Sequence, residues 1–125
     1  MITINLKPLS INAAFQGRRY KTNKYKSYEC AVLAMLPGDI DIPETGKLEI
    51  FLEFGVSSKG FDWDNAIKPF VDLLQRKYQF NDNRIYQALV KKTIVKKGDE
   101  FILFSIKKYA QREIDNYMRG LVCLR

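Results

Sequence analysis

The chain has 125 residues, 46% of them hydrophobic and 13% aromatic, which suits one compact domain over residues 1–125 with a modest buried core. Lys and Arg number 21 against 14 Asp and Glu, a net charge of +7 that points to a polyanionic partner, nucleic acid before a membrane surface; no apolar run approaches the roughly 20 residues of a membrane span. Histidine is absent, which excludes Ser-His-Asp triads, Cys-His pairs and His-ligated metals and leaves any hydrolysis to carboxylates, lysine or a hard metal.

At the start, Ile2, Ile4 and Leu6 alternate with Thr3, Asn5 and Lys7, the period-two pattern of a strand with one buried face. MITINLKPLS lacks the continuous apolar core of a secretory signal, so a soluble, cytoplasmic protein is expected. Pro8 closes the strand, and a polar stretch follows that reads as a mobile loop, with Arg18, Arg19, Lys21, Lys24 and Lys26 interleaved with tyrosines. SYECAVLAML, residues 27–36, reads as a short helix with Ser27 as its cap and Pro37-Gly38 as its stop. After the acidic loop Asp39 to Glu44, Leu48, Ile50, Leu52, Phe54 and Val56 alternate with Glu49, Phe51, Glu53 and Gly55, the clearest strand in the chain.

The polar turn at residues 57–60 leads into FDWDN, after which Ile67, Phe70, Val71 and Leu74 follow helical spacing. A second helix is predicted from about Asn65 to Arg76, capped by Asp64 or Asn65, because Pro69 must lie near its start. Two further strands, around Ile85 to Val95 and Phe101 to Ile106, flank the turn sequence Lys97-Gly98-Asp99 and are expected to close as an antiparallel hairpin. Beyond Tyr109, Ile114, Tyr117, Met118 and Leu121 predict an amphipathic tail helix. Together these elements predict the α/β class, of α+β type: a small mixed β-sheet with two or three helices. Cys30 and Cys123 fit no disulfide framework and no zinc spacing and are read as two reduced thiols.

The chemistry-bearing residues concentrate between Phe61 and Ile85. If Phe61 to Asp64 is extended, Asp62 and Asp64 point to the same side, and a helix starting at Asp64 stacks the Lys68 ammonium above that carboxylate. A third acid, Asp82, could complete a site for Mg²⁺, or Mn²⁺, which takes a few carboxylates together with water and phosphate oxygens. Spacing alone favours a plainer reading, with Asp64 as a helix cap, Asp62 as a turn acid, Asp82 as a loop residue and Lys68 as one half of an i,i+4 surface pair with Asp64 or Asp72. Arg18 to Lys26 and Lys59 supply a basic surface for DNA, with Lys91, Lys92, Lys96 and Lys97 as an extension, whereas Glu49 and Glu53 are read as a solvated strand face.

Residues 62–68, DWDNAIK, have the form D-x-D-N-x-x-K, and residues 81–85, NDNRI, stand one helix later where an acidic D-D-x-x-V turn is found in one family. In this the chain resembles the RusA family of Holliday junction resolvases, crossover junction endodeoxyribonucleases of DNA recombination and repair. PLSIN, residues 8–12, is similar to that family's P-P-S-x-N start and adds Asn12 to the expected DNA contacts. The resemblance implies that Asp62, Asp64 and Asp82 are metal-binding catalytic carboxylates and that Lys68 is the essential lysine. It implies further a Mg²⁺-dependent hydrolase, a homodimer cutting a four-way DNA junction by paired symmetric phosphodiester hydrolysis, encoded by a bacterial host or a resident phage. The competing expectations are a basic nucleic-acid-binding module without catalysis and a metal-dependent nuclease for other branched or single-stranded DNA.

Overall fold

The computed structural model describes residues 1–16, 20–110 and 118–120. It is a mixed α/β structure in which two helices lie on one face of a four-stranded sheet. In chain order the elements are β1 (Ile2–Ile4), α1 (Ile11–Ala14), β2 (Phe15–Gln16), β3 (Tyr20–Lys21), α2 (Asn23–Met35), β4 (Leu48–Val56), α3 (Ile67–Tyr78), a 3-10 turn (Asp82–Arg84), β5 (Ile85–Ile94) and β6 (Phe101–Lys108). The main sheet has the order β1-β6-β4-β5, and β2 and β3 form a separate two-stranded ribbon.

The alternating pattern of β4 puts Leu48, Ile50, Leu52, Phe54 and Val56 in the core beneath α2 and α3. Helix α3 answers with Phe70, Val71, Leu73 and Leu74, and the Phe70 ring meets Phe104 of β6 edge-on at 5.4 Å between centroids. On the opposite sheet face Gly55 is required, because a Cβ there would collide with the Phe101 ring lying across β4. No helix among the described residues is long and apolar enough to cross a membrane.

Five sequence expectations need correction. The strands at 85–95 and 101–106 do form, but not as a hairpin: β5 pairs with β4 in parallel, β6 pairs with β4 antiparallel, and β4 lies between them. A parallel return requires a crossover, which α3 supplies, and β4 is the most apolar strand and takes the central position. The Lys97-Gly98 turn forms, with Gly98 at φ 100°, and carries the chain past the end of β4, where the Val95 amide donates to the Val56 carbonyl at 2.9 Å.

The first long helix starts at Asn23 rather than Ser27, so Lys24 and Lys26 lie on a helix and not in a loop. Tyr25 and Tyr28 are buried and extend the apolar stripe of Val32 by two turns, and Thr22 is the true cap, accepting from the Tyr25 amide. The expected loop before it is also structured: Ser10 caps α1, and the Thr22 hydroxyl donates to the Ala13 carbonyl at 2.6 Å, tying α1 to α2.

At the start of α3 neither Asp64 nor Asn65 serves as the cap; Ala66 occupies that position with no side-chain cap bond. Finally, Phe61 to Asp64 is not extended. Backbone bonds Asn65 to Asp62 and Ile67 to Asp64 fold the segment into successive turns. The predicted tail helix falls mainly outside the described residues, of which Met118–Gly120 are helical and exposed.

Candidate metal and nucleic-acid site

The segment after β4 is folded by its own backbone. The Phe61 amide donates to the Ser58 carbonyl, the Asn65 amide to Asp62 and the Ile67 amide to Asp64, which turns the chain from the sheet end into α3. α1 is pinned against this turn through the Ile11 amide, which donates to the Asn65 carbonyl at 2.8 Å. One end of the sheet therefore gathers the end of β4, the start of α3 and α1 with Asn12.

Asp62, Trp63 and Asp64 are all exposed there, Trp63 by 57%. Asp62 accepts at 3.5 Å from the Asn65 side-chain amide, and neither aspartate makes an ion pair among the described residues. Lys68, also exposed, does not stack on Asp64. Its ammonium lies 3.4 Å from Asp72, one helical turn further on, and Asp72 also accepts from the Gln75 amide at 3.4 Å. The i,i+4 geometry on a continuous helix face favours Asp72, because Asp64 lies outside the helix.

Asp82 stands apart from the other two. The 12 residues of α3 extend about 18 Å, with Asp62 and Asp64 before them and Asp82 after them. Strand register agrees, since Ile85 pairs with Leu48 at the start of β4, whereas Asp62 lies beyond Val56 at its end. Among the described residues no group of three acidic or cysteine side chains is placed to hold a metal ion. Asp62 and Asp64 are solvent-facing oxygen donors, the donor type that a hard divalent cation takes: Mg²⁺ is commonly held by one or two carboxylates with phosphate oxygens and water completing its shell.

The basic residues divide between free and engaged. Lys24 and Lys26 are exposed on the first turn of α2, and Lys59 is exposed in the turn after β4, its carbonyl accepting from the Lys92 ammonium at 2.8 Å. Lys21 is held, 3.3 Å from Glu29 and over the Tyr25 ring at 5.0 Å. Glu29 also binds Arg76 at 2.5 Å, and this guanidinium, followed by Lys21, holds the Glu29 carboxyl below its ordinary value. Lys91 is 4.0 Å from Glu53, which accepts from Thr93, and Glu49 is 3.5 Å from Lys107; both glutamates belong to cross-strand pairs on the sheet face away from the helices. Arg18 and Arg19 lie outside the described residues, as does Cys123, and Cys30 is a free, exposed thiol.

Trp63 was missed as a contributor by sequence reasoning. A lone tryptophan between two turn aspartates has little apolar company in the sequence, which was the available signal that it would remain outside the core. Compared with known proteins, the chain matches no family model and no curated protein.

Proposed function

We propose that the protein is a metal-dependent endodeoxyribonuclease acting on branched DNA, a homodimeric resolvase of four-way junctions. The observation that carries this reading is the turn at the start of α3, where two exposed carboxylates, without ion-pair partners among the described residues, flank an exposed tryptophan at the end of the sheet that also carries Lys59 and Lys68. Carboxylates inside a basic protein repel a phosphate unless a cation lies between them, so acids at a DNA-facing surface are most useful as metal ligands.

A divalent cation held by Asp62 and Asp64 would supply Lewis acidity at the scissile phosphate. The chain's own contribution is positional. Trp63 offers a π face on which an unpaired base at the branch point stacks. Lys68, shared with Asp72 at rest, swings its exposed ammonium toward the phosphate and offsets charge as the phosphorus–oxygen bond breaks. Lys24, Lys26 and Lys59 contact the DNA arms through phosphates and fix its register. Asp82, across α3, does not reach the same cation within one chain; in a dimer it would have to come from the second copy.

A binding module without catalysis is the second reading, favoured by the lack of a three-carboxylate cluster among the described residues. Cleavage of a labelled four-way junction beside linear duplex, flap and single-strand controls, in Mg²⁺ and in chelator, separates the two. Paired cuts in the junction alone, lost in chelator, are expected. Tight junction binding with no cutting in either buffer would establish the binding module instead.

A further inference from the structure

Beside the Asp62 turn, under α1 and the first turn of α2, lies a cleft of about 340 Å³. Leu9 and Phe61 give it apolar walls, Val56 its floor, and Lys7 and Lys24 line it together with Ser10 and Ser58. A size of a few hundred Å³, mostly apolar walls and a few convergent polar groups are the ordinary features of a small-ligand site.

The polar groups are unevenly engaged. The Ser57 hydroxyl donates to Glu100, and that carboxylate, which also accepts from the Gly98 amide, lies near enough to Lys7 to share its charge. Ser10 accepts from the Asn12 amide and keeps its own proton to donate. Lys24 has no acidic partner among the described residues. The cleft therefore combines a cation, a free hydroxyl donor and an aromatic wall.

We infer that this cleft binds one unpaired nucleotide, its base against Leu9 and Phe61 and its 5′-phosphate on Lys24 and the Ser10 hydroxyl. An aromatic wall suits the flat face of any base, and stacking of this kind tolerates sequence. Phe61 directly precedes Asp62, so a nucleotide seated here brings the adjoining phosphodiester toward the carboxylate pair. The identification of the occupant as a unit of DNA rests on the nuclease reading above, whereas the cleft's preference for a nucleotide does not.

The test is an amide ¹H–¹⁵N NMR titration of the full chain with thymidine 5′-monophosphate, with thymidine and with inorganic phosphate, all in chelator so that no metal bridges phosphate to Asp62. The monophosphate should shift Ser10, Ser58 and Phe61 saturably and bind at least tenfold tighter than either fragment. Lys24→Glu should weaken it at least tenfold; an acid in the first turn of a helix suits the helix dipole, so this variant folds. Inorganic phosphate matching the monophosphate would reduce the site to an anion contact and overturn the inference, as would saturable shifts elsewhere or none at all. Junction cleavage with no monophosphate binding overturns this inference alone, and monophosphate binding without junction cleavage upholds it while removing the nuclease reading.

Discussion

The two ends of α3 are built in opposite ways. At the C-terminal end several side chains are tied to backbone: the Tyr78 hydroxyl donates to Pro37 at 2.7 Å, the Lys77 ammonium to Leu33 at 3.2 Å, and Arg84 donates to Gly46 and Pro43 at 2.9 and 2.6 Å. Gln79 takes the left-handed conformation at φ 56° to end the helix and donates its side-chain amide to the Arg76 carbonyl. Asn81 caps the 3-10 turn, and the Asp82 amide is held by Gln75. At the N-terminal end the helix lacks a side-chain cap, two exposed carboxylates have no ion-pair partner among the described residues, and the one tryptophan of the chain is exposed between them. Polar groups committed to the fold are not free to bind anything else. The end that leaves its groups uncommitted is the one suited to a ligand, at the cost of the roughly 1 kcal/mol that a capping side chain contributes.

If that contrast is right, substitutions at the two ends should separate function from stability. Trp63→Ala should weaken binding to a junction with unpaired bases by about 2 kcal/mol, the scale of one base–aromatic stack, while its thermal midpoint stays within a degree or two of wild type. A gel-shift titration beside a melting curve checks both. Arg84→Ala should show the reverse, losing about 1–2 kcal/mol of unfolding free energy in urea, because the Gly46 and Pro43 carbonyls lose their donor, with binding per folded molecule unchanged.

Between the ends, the Glu29 link from α2 to Arg76 of α3 sets a pH dependence. The folded Glu29 carboxyl titrates below its unfolded value of 4.5, so its stabilisation is complete above that value and is lost as pH falls through the lower, folded one. The difference in thermal midpoint between wild type and Glu29→Gln should be constant near neutrality, shrink as pH falls below 4.5 and vanish once pH passes the lower, folded value; a difference unchanged in acid would break the assignment. The smallest effect is expected at Tyr28, whose buried hydroxyl has no hydrogen-bond partner among the described residues and whose pKa burial pushes up. Tyr28→Phe removes an unsatisfied polar group, so it should be neutral or stabilising by up to about 1 kcal/mol, read from the urea midpoint.

The parts of the fold legible in the sequence were those with a clear period. The alternation in β4 and the spacing of Ile67, Phe70, Val71 and Leu74 identified both elements, because each buries one face and nothing else produces those repeats. What escaped was pairing. Lys97-Gly98-Asp99 is a turn wherever it occurs, and local sequence does not record that β4 sits between the strands it joins. The start of α2 escaped because Tyr25, read as part of a basic loop, is buried and belongs to the first turn of the helix. Likewise, the DWDN segment identified the acids but not their arrangement: alternation presumed an extended strand, and the backbone bonds at Asp62 and Asp64 make turns. The pairing of Lys68 with Asp72 was legible as one of two i,i+4 options, and the position of the helix start decided between them.

The measurement that bears most directly on the two ends of α3 is cleavage of a labelled four-way junction in Mg²⁺ by wild type, Asp64→Asn and Asp82→Asn, each checked for folding by circular dichroism. Asp64→Asn should lose more than about a hundredfold in rate, the scale of removing one group that stabilises the transition state, while still binding the junction. Asp82→Asn should retain cleavage if one chain forms the site. Loss in both variants would mean that Asp82 reaches the site from a second copy, and a folded Asp64→Asn protein that cuts as well as wild type would contradict the assignment of chemistry to the N-terminal end.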